Sequence, residues 1–440
     1  MNWRSLISCV LISLVYYLLK PIKDSLLITS NASGAAVIPF VKLWCLFPST
    51  IALGISYSYF ARKYCLQKVS RAFIGLFLVG LCGVAFFLFP LQNKVQADVL
   101  ADWLQFHLPT GWTGLAEMVR FWPYVIFYLL AELWGSFVFI VLIWSLINNS
   151  TCFDQAKKAF PFYLLAGNAT AILAGPLGTW MTANSWENTL SNTMGLVLLL
   201  GFGSLFFLPK AFDQKKEWES SFLSDFKQAL SSKYIVHLML IGFCFNVMIN
   251  FGEVVWKQSV LMICPLPGDY ARYMGNVVSW TGIIATLGTC FLALPWMRKM
   301  EWRSGALVTP IITMTSGVLF FGAFLSPMIP MALTAALGSL HICLERSCRY
   351  TFYDITREMA YIPLSYKERI LGKSLICGFG SKSGRVAGSI MMQLLLLINT
   401  SITASISGIV CIFILTGIFY IRSIFKINYI NKKVIKLTQS

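Results

Sequence analysis

The hydrophobic positions of this chain neither alternate nor leave a polar stripe every three or four residues. They run on for about 20 residues at a time between short polar breaks. Runs of that length are those a helix needs to cross a bilayer. In lipid every backbone N–H and C=O must be satisfied internally, which leaves helices or closed barrels, and the lack of alternation selects helices. Twelve spans are expected, over residues 5–28, 36–60, 72–91, 121–148, 160–182, 189–209, 235–260, 271–297, 304–326, 330–350, 372–397 and 402–421. The longest polar break, Lys210 to Lys233, reads as a cytoplasmic linker between two six-helix bundles, residues 1–209 and 234–424, with a basic tail over 425–440. The apolar run from Leu6 to Leu19 follows Arg4 as in a secretory signal. It passes straight into Lys20-Pro21-Ile22-Lys23-Asp24 with no small-residue cleavage site, so it reads as a retained first span.

Composition agrees with the pattern. The chain is 57% hydrophobic and 12% charged, with a mean hydropathy of +0.70; an ordinary soluble domain is about 25% charged. Loop charge sets the orientation. With the N-terminus in the cytoplasm, 25 basic residues fall on the cytoplasmic side and three, Lys94, Arg120 and Arg272, on the other. Both termini are therefore expected inside, and the net charge of +17 is explained without nucleic acid. The cysteines lie mostly in apolar runs, and no C-x-x-C pair or Cys/His cluster has metal-ligand spacing. No cofactor, metal or nucleic-acid partner is expected. Phe153-Asp154 is echoed by Tyr353-Asp354, and Gly167 and Gly175 by Gly380 and Gly388. The echoes suggest a duplicated, major-facilitator-like plan, with a substrate site near the midplane between the halves.

Seven basic residues stay within or at the edge of spans: Lys20, Lys23, Lys42, Lys257, Lys373, Lys382 and Arg385. So do the acids Asp24, Glu132 and Glu253. A charge at a helix centre costs about 2.5–3.5 kcal/mol on insertion scales, so it faces a cavity or a partner. Lys42, Lys257 and Asp24 lie near span ends, where snorkelling or local pairing is cheap. Lys382 and Arg385 stand among Gly378, Gly380, Gly384 and Gly388, glycines that packing alone could also explain. Glu132 lies midway along its span and is expected to pair with an intramembrane base when no substrate is bound. The excess of bases calls for a multivalent anion, and phosphate fits the donors of Lys and Arg best. Tyr16, Tyr17, Trp134 and Trp280 offer aromatic faces for a base, though aromatics at span ends are more often interfacial. Asn168, in the fifth span, joins the substrate-binding candidates.

At these residues the chain resembles the ATP/ADP translocase family of obligate intracellular bacteria and plastids. The matching stretches are Lys20 to Leu26, Val37 to Trp44, Phe127 to Ser136, Glu253 to Lys257, Tyr273 to Asn276 with Trp280 to Gly282, Asp354 to Leu364, and Gly372-Lys373 leading into the glycine-rich helix. The resemblance implies that Lys23, Lys373, Glu132 and Glu253 serve transport, and that the cargo is an adenine nucleotide, or another nucleotide or NAD. Lys20, Ala36 and Cys377 depart from the family's Arg, Glu and Asp, and His341-Ile342 from its Gln-Asn. The loss of two acids makes the site more positive.

The expected function is therefore nucleotide transport, ATP for ADP, by alternating access, in a multi-pass protein of a bacterial inner membrane. Lys23 and Lys373, with Lys382 and Arg385, would hold phosphates, Lys20 joins the substrate-binding candidates, and Glu132 and Glu253 would switch partners between states. Two rivals stand beside it. One is proton-coupled net uptake of another nucleotide, with a membrane carboxylate or His341 carrying the proton. The other is a membrane-embedded enzyme acting on a phosphorylated lipid. No Ser/His/Asp set, carboxylate–metal cluster or phosphate loop supports the enzyme, and Gly380-Ser381-Lys382-Ser383-Gly384 lacks the phosphate-loop spacing.

Overall fold

The computed structural model describes residues 3–91, 94–150, 153–181, 185–209, 232–293, 301–361, 364 and 380–439. Among these the chain is helical throughout, as lipid requires. In chain order the helices are α1 (Trp3–Thr29), α2 (Gly34–Ala61), α3 (Leu66–Leu91), α4 (Asp98–His107), α5 (Thr113–Arg120), α6 (Trp122–Ile147), α7 (Phe153–Met181) and α8 (Trp186–Phe206). There follow α9 (Lys233–Ile263), α10 (Pro267–Leu287), α11 (Trp302–Leu325), α12 (Met331–Cys348), α13 (Asp354–Ala360), α14 (Ser381–Asn399) and α15 (Ile402–Gln439).

Each of the twelve expected spans meets a helix of 18 residues or more. Eight are long and apolar enough to cross a membrane by composition: α1, α2, α3, α6, α8, α9, α11 and the stretch Ile402–Ile430 of α15. The other four are α7, α10, α12 and α14. α10 carries Asp269 and Arg272, α12 carries His341, Glu345 and Arg346, and α14 carries Lys382 and Arg385. The linker 210–231, residues 365–379 with Lys373 and Cys377, and the side chains of the C-terminal tail beyond 430 lie outside the described residues.

Contacts divide the chain into two compact units, residues 1–216 with 260–283, and residues 217–259 with 284–440. In the first, α1 is the central element and packs on α6, α7 and α8. The Trp134 indole N–H donates to the Ile12 carbonyl at 3.1 Å, and the Thr170 hydroxyl donates to Ser13 Oγ at 2.9 Å. Gly135 is where α6 meets the Tyr16 ring, since a Cβ there would overlap the ring. α10 joins this unit through Ser279, whose hydroxyl donates to the Ile172 carbonyl at 2.9 Å and accepts from the Gly175 N–H at 3.1 Å. In the second unit α11 packs on α12 and α15. Gly384 of α14 lies against the Phe243 carbonyl of α9, and a Cβ on Gly388 would come within 2.9 Å of the Asn250 amide. These two glycines of the glycine-rich helix are thus a packing face.

Two features escaped the hydropathy pattern. The segment between the third and fourth spans forms the short helices α4 and α5, tied by Arg120. Its guanidinium donates to Asp102 at 2.6 Å, Asp98 at 3.0 Å and Glu117 at 3.4 Å. In addition, among the described residues π-helical stretches lie within or beside long helices at Val41–Leu46, Val84–Leu88, Trp134–Ile143, Gly288–Ala293 and Arg349–Tyr353.

Candidate functional site

The intramembrane charges fall into a cluster in each unit. In the first, Pro21 stands inside α1, where it withdraws one backbone donor from the helix ladder. Two residues on, Lys23 is 2% exposed. Its ammonium lies 2.9 Å from Asp24 Oδ1 and 3.1 Å from Glu132 Oε2 of α6. It also sits 4.0 Å from the ring centroid of Tyr128, one turn before Glu132. The base expected for Glu132 is therefore Lys23. Asp24 pairs locally, as its place near a span end suggested, but it is fully buried and does not snorkel. An ammonium between two carboxylates and an aromatic face keeps its charge without water. Glu132 is the more open partner, with 23% of its side chain exposed against 2% for Lys23. Lys20 stands one turn back with its ammonium 5.7 Å from the Tyr16 ring, and Lys42 lies half-buried in the π-helical part of α2.

The second unit inverts the pattern, setting a carboxylate between two bases. Glu253 Oε1 on α9 lies 3.1 Å from Lys257 Nζ, one turn on, and 3.5 Å from Arg346 Nη2 of α12. Lys257 has no exposed side-chain surface, so it pairs locally rather than snorkelling. The Arg346 guanidinium also lies 5.9 Å from the Trp256 ring, and the Trp256 N–H donates to Ser339 Oγ at 2.9 Å. Sequence reasoning missed Arg346, which was counted among the cytoplasmic basic residues although the tenth expected span, 330–350, includes it. It missed Glu345 too, a 1% exposed carboxylate on the same helix. The signal for both was a His-x3-Glu-Arg run inside a predicted span.

The remaining candidates are more dispersed. Arg385 Nε donates to Asn246 Oδ1 at 3.1 Å, and Asn250 donates to Ser389 Oγ at 3.1 Å, so this part of α14 is bound to α9. Lys382 is exposed, and Asn168 is half-buried on α7 with its carbonyl beside Gly282. Among the aromatic candidates Trp134 is corrected: it is fully buried between α1 and Phe77 and has no face free for a base. Trp280 is 60% exposed. Among the described residues no group of His, Cys, Asp and Glu could hold a metal ion.

This arrangement can hold charge in lipid and can change partners. In the first cluster a phosphate oxygen could take the place of one of the two carboxylates on Lys23, and in the second it could take the place of Glu253 on its two bases.

Comparison with known proteins agrees. The family model described as "TLC ATP/ADP transporter" matches residues 5–431. The chain is 30% identical to ADP,ATP carrier protein 2 of Chlamydia pneumoniae, over 95% of this chain and 86% of that protein. It is 29% identical to the chloroplastic ADP,ATP carrier protein 2 of Arabidopsis thaliana, over 90% and 69%. Among solved structures, a bacterial homologue of the iron transporter ferroportin in an inward-facing state matches with a TM-score of 0.67, at 14% identity over 96% of this chain and 99% of that one. A D-xylose–proton symporter matches with a TM-score of 0.57, at 13% identity over 95% and 96%. At such identities the likeness shows the fold, a major-facilitator-like one.

Proposed function

The chain belongs to the TLC ATP/ADP transporter family, and from that membership we propose that it exchanges ATP for ADP across a bacterial cell membrane by alternating access. It is a multi-pass membrane transporter and not an enzyme. One observation carries the nucleotide reading beyond the relatives' names: Lys23 is held, buried, between Asp24 and Glu132. A lysine kept ionised in lipid by carboxylates, one of them part-exposed, is poised to trade that carboxylate for a phosphate oxygen. Glu253 complements it, since its release would free Arg346 and Lys257 for the same kind of ligand. Lys20, Lys373, Lys382, Arg385 and Asn168 complete the proposed substrate-binding set.

The test is uptake of radiolabelled ATP into vesicles holding the purified protein, with and without ADP inside. Internal ADP should raise the initial rate several-fold. A rate indifferent to internal nucleotide overturns exchange, and no uptake of any nucleotide overturns the reading.

A further inference from the structure

The last helix of the second unit, α15, carries an exposed stripe along one face. Leu415, Ile418, Phe419, Arg422, Phe425 and Lys426 are all exposed and recur at the spacing of a single helix side. The first three are apolar and belong to the stretch of α15 that is apolar enough to cross a membrane. Within one turn the stripe becomes basic. Arg422 and Lys426 stand four residues apart, an arrangement in which like charges repel. A third base joins them from α11, where the Arg303 guanidinium lies 4.3 Å from the Phe425 ring centroid. His237 of α9 is within electrostatic reach of both Arg422 and Lys426. The acids of the unit are engaged elsewhere: Asp354 and Glu358 with Arg357, and Glu253 with Lys257 and Arg346. Among the described residues no carboxylate is paired with Arg303, Arg422 or Lys426.

We propose that this face binds an anionic phospholipid of the leaflet at that end of the molecule, with its phosphate on Arg422, Lys426 and Arg303 and an acyl chain along Phe419, Ile418 and Leu415. Charge complementarity is the first reason. Three bases on one face, with no carboxylate among them, attract an anion, and the anion relieves their mutual repulsion. Arg offers a planar fork of donors to phosphate and Lys a point charge. Continuity with the lipid-facing surface is the second. A free phosphate would use the bases alone. From Arg422 back to Leu415 the same face gives about 10 Å of apolar stripe, at 1.5 Å per residue, and that length fits part of an acyl chain. A zwitterionic headgroup brings its own cation toward the three bases, so the site selects a headgroup with net negative charge. A phosphate held by both Arg303 and Arg422 also fastens α11 to α15, which pack together.

The test is a titration of the purified full chain in detergent, none of whose readouts involves nucleotide. Short-chain phosphatidylglycerol, phosphatidylcholine with the same chains, and inorganic phosphate are added separately. Native mass spectrometry reads lipid retention, and thermal unfolding reads stabilisation. Phosphatidylglycerol should bind saturably and raise the melting temperature. Arg422→Gln/Lys426→Gln should weaken that binding about tenfold or more, and Arg303→Gln should weaken it several-fold. Phe419→Ser keeps every charge and should also weaken it. Lys68→Gln/Arg71→Gln removes two exposed bases of α3 in the first unit and should leave binding unchanged. Equal binding of phosphatidylcholine, or equal loss in the α3 variant, overturns the site. If inorganic phosphate gives the same stabilisation, or Phe419→Ser binds as the wild type does, the ligand is a soluble anion and the lipid assignment fails.

Discussion

At the scale of single residues, burial separates the lysines. Lys23 is buried between carboxylates, whereas Lys94 is exposed in the segment after α3. Lys23→Gln should therefore lower nucleotide uptake at least tenfold, a loss of about 1.4 kcal/mol in the affected state, while Lys94→Gln leaves it near wild type at matched expression. Equal effects would remove Lys23 from phosphate binding. Glu132→Gln asks a different question. Its loss takes one counter-ion from Lys23 and leaves Asp24, so equilibrium nucleotide binding should survive while turnover falls about tenfold. If binding vanishes with the fold intact, Glu132 touches substrate and is no switch. These two residues were legible in the sequence because a charge in the middle of an apolar run has no cheap explanation. Arg346 and Glu345 were not, because they lie near the end of a span, where hydropathy places charges in a loop. Only the packing of α12 on α9 shows that they face inward. Trp134 erred the other way, since sequence alone does not say whether an aromatic ring faces a ligand or a neighbouring helix.

At the scale of elements, the helices and their order could be read from apolar length, and the glycines from their spacing. What each glycine does required neighbours. Gly384 of α14 abuts the backbone of Phe243, whereas a Cβ on Gly203 of α8 would meet nothing within 4 Å. Gly384→Ala should therefore destabilise the second unit by about 1–3 kcal/mol, as overpacking does. Gly203→Ala should be neutral or slightly stabilising. Thermal unfolding of the two variants in detergent checks the pair, and equal melting temperatures would mean that α14 yields to the added methyl group. The helices α4 and α5 were hidden because they are short and polar on one face, a pattern that hydropathy reads as loop. Their order depends on Arg120, bound to Asp98, Asp102 and Glu117. Arg120→Ala should open the 94–120 segment to limited proteolysis while leaving the spanning helices protected.

At the scale of the whole molecule, both the loop charge and the exchanged cargo bear on the membrane. Val99 is 87% exposed on α4, in a segment that the basic-residue count places outside the cell. In a variant freed of native cysteines, Val99→Cys should react with an impermeant reagent in intact cells, and Ser220→Cys in the linker should not. Labelling of Ser220→Cys from outside would reverse the proposed orientation. ATP and ADP differ by about one charge, on which the membrane potential acts with about 2.3 kcal/mol per 100 mV. Exchange in vesicles should accordingly respond to an imposed potassium diffusion potential, and a rate insensitive to it would mean that a compensating charge travels with the nucleotide.

The π-helical stretch Trp134–Ile143 begins two residues after Glu132. Such a stretch is a surplus of chain: more residues are wound into each turn than an α-helix admits. Surplus of this kind is slack. It can be handed along a helix by exchanging i→i+5 for i→i+4 hydrogen bonds one at a time, and each residue handed on turns the part it passes by about 100°. The motion is that of a screw in its thread, and at no step is a backbone donor left bare to lipid. A helix wound with this slack can turn its carboxylate away from a lysine without first coming apart.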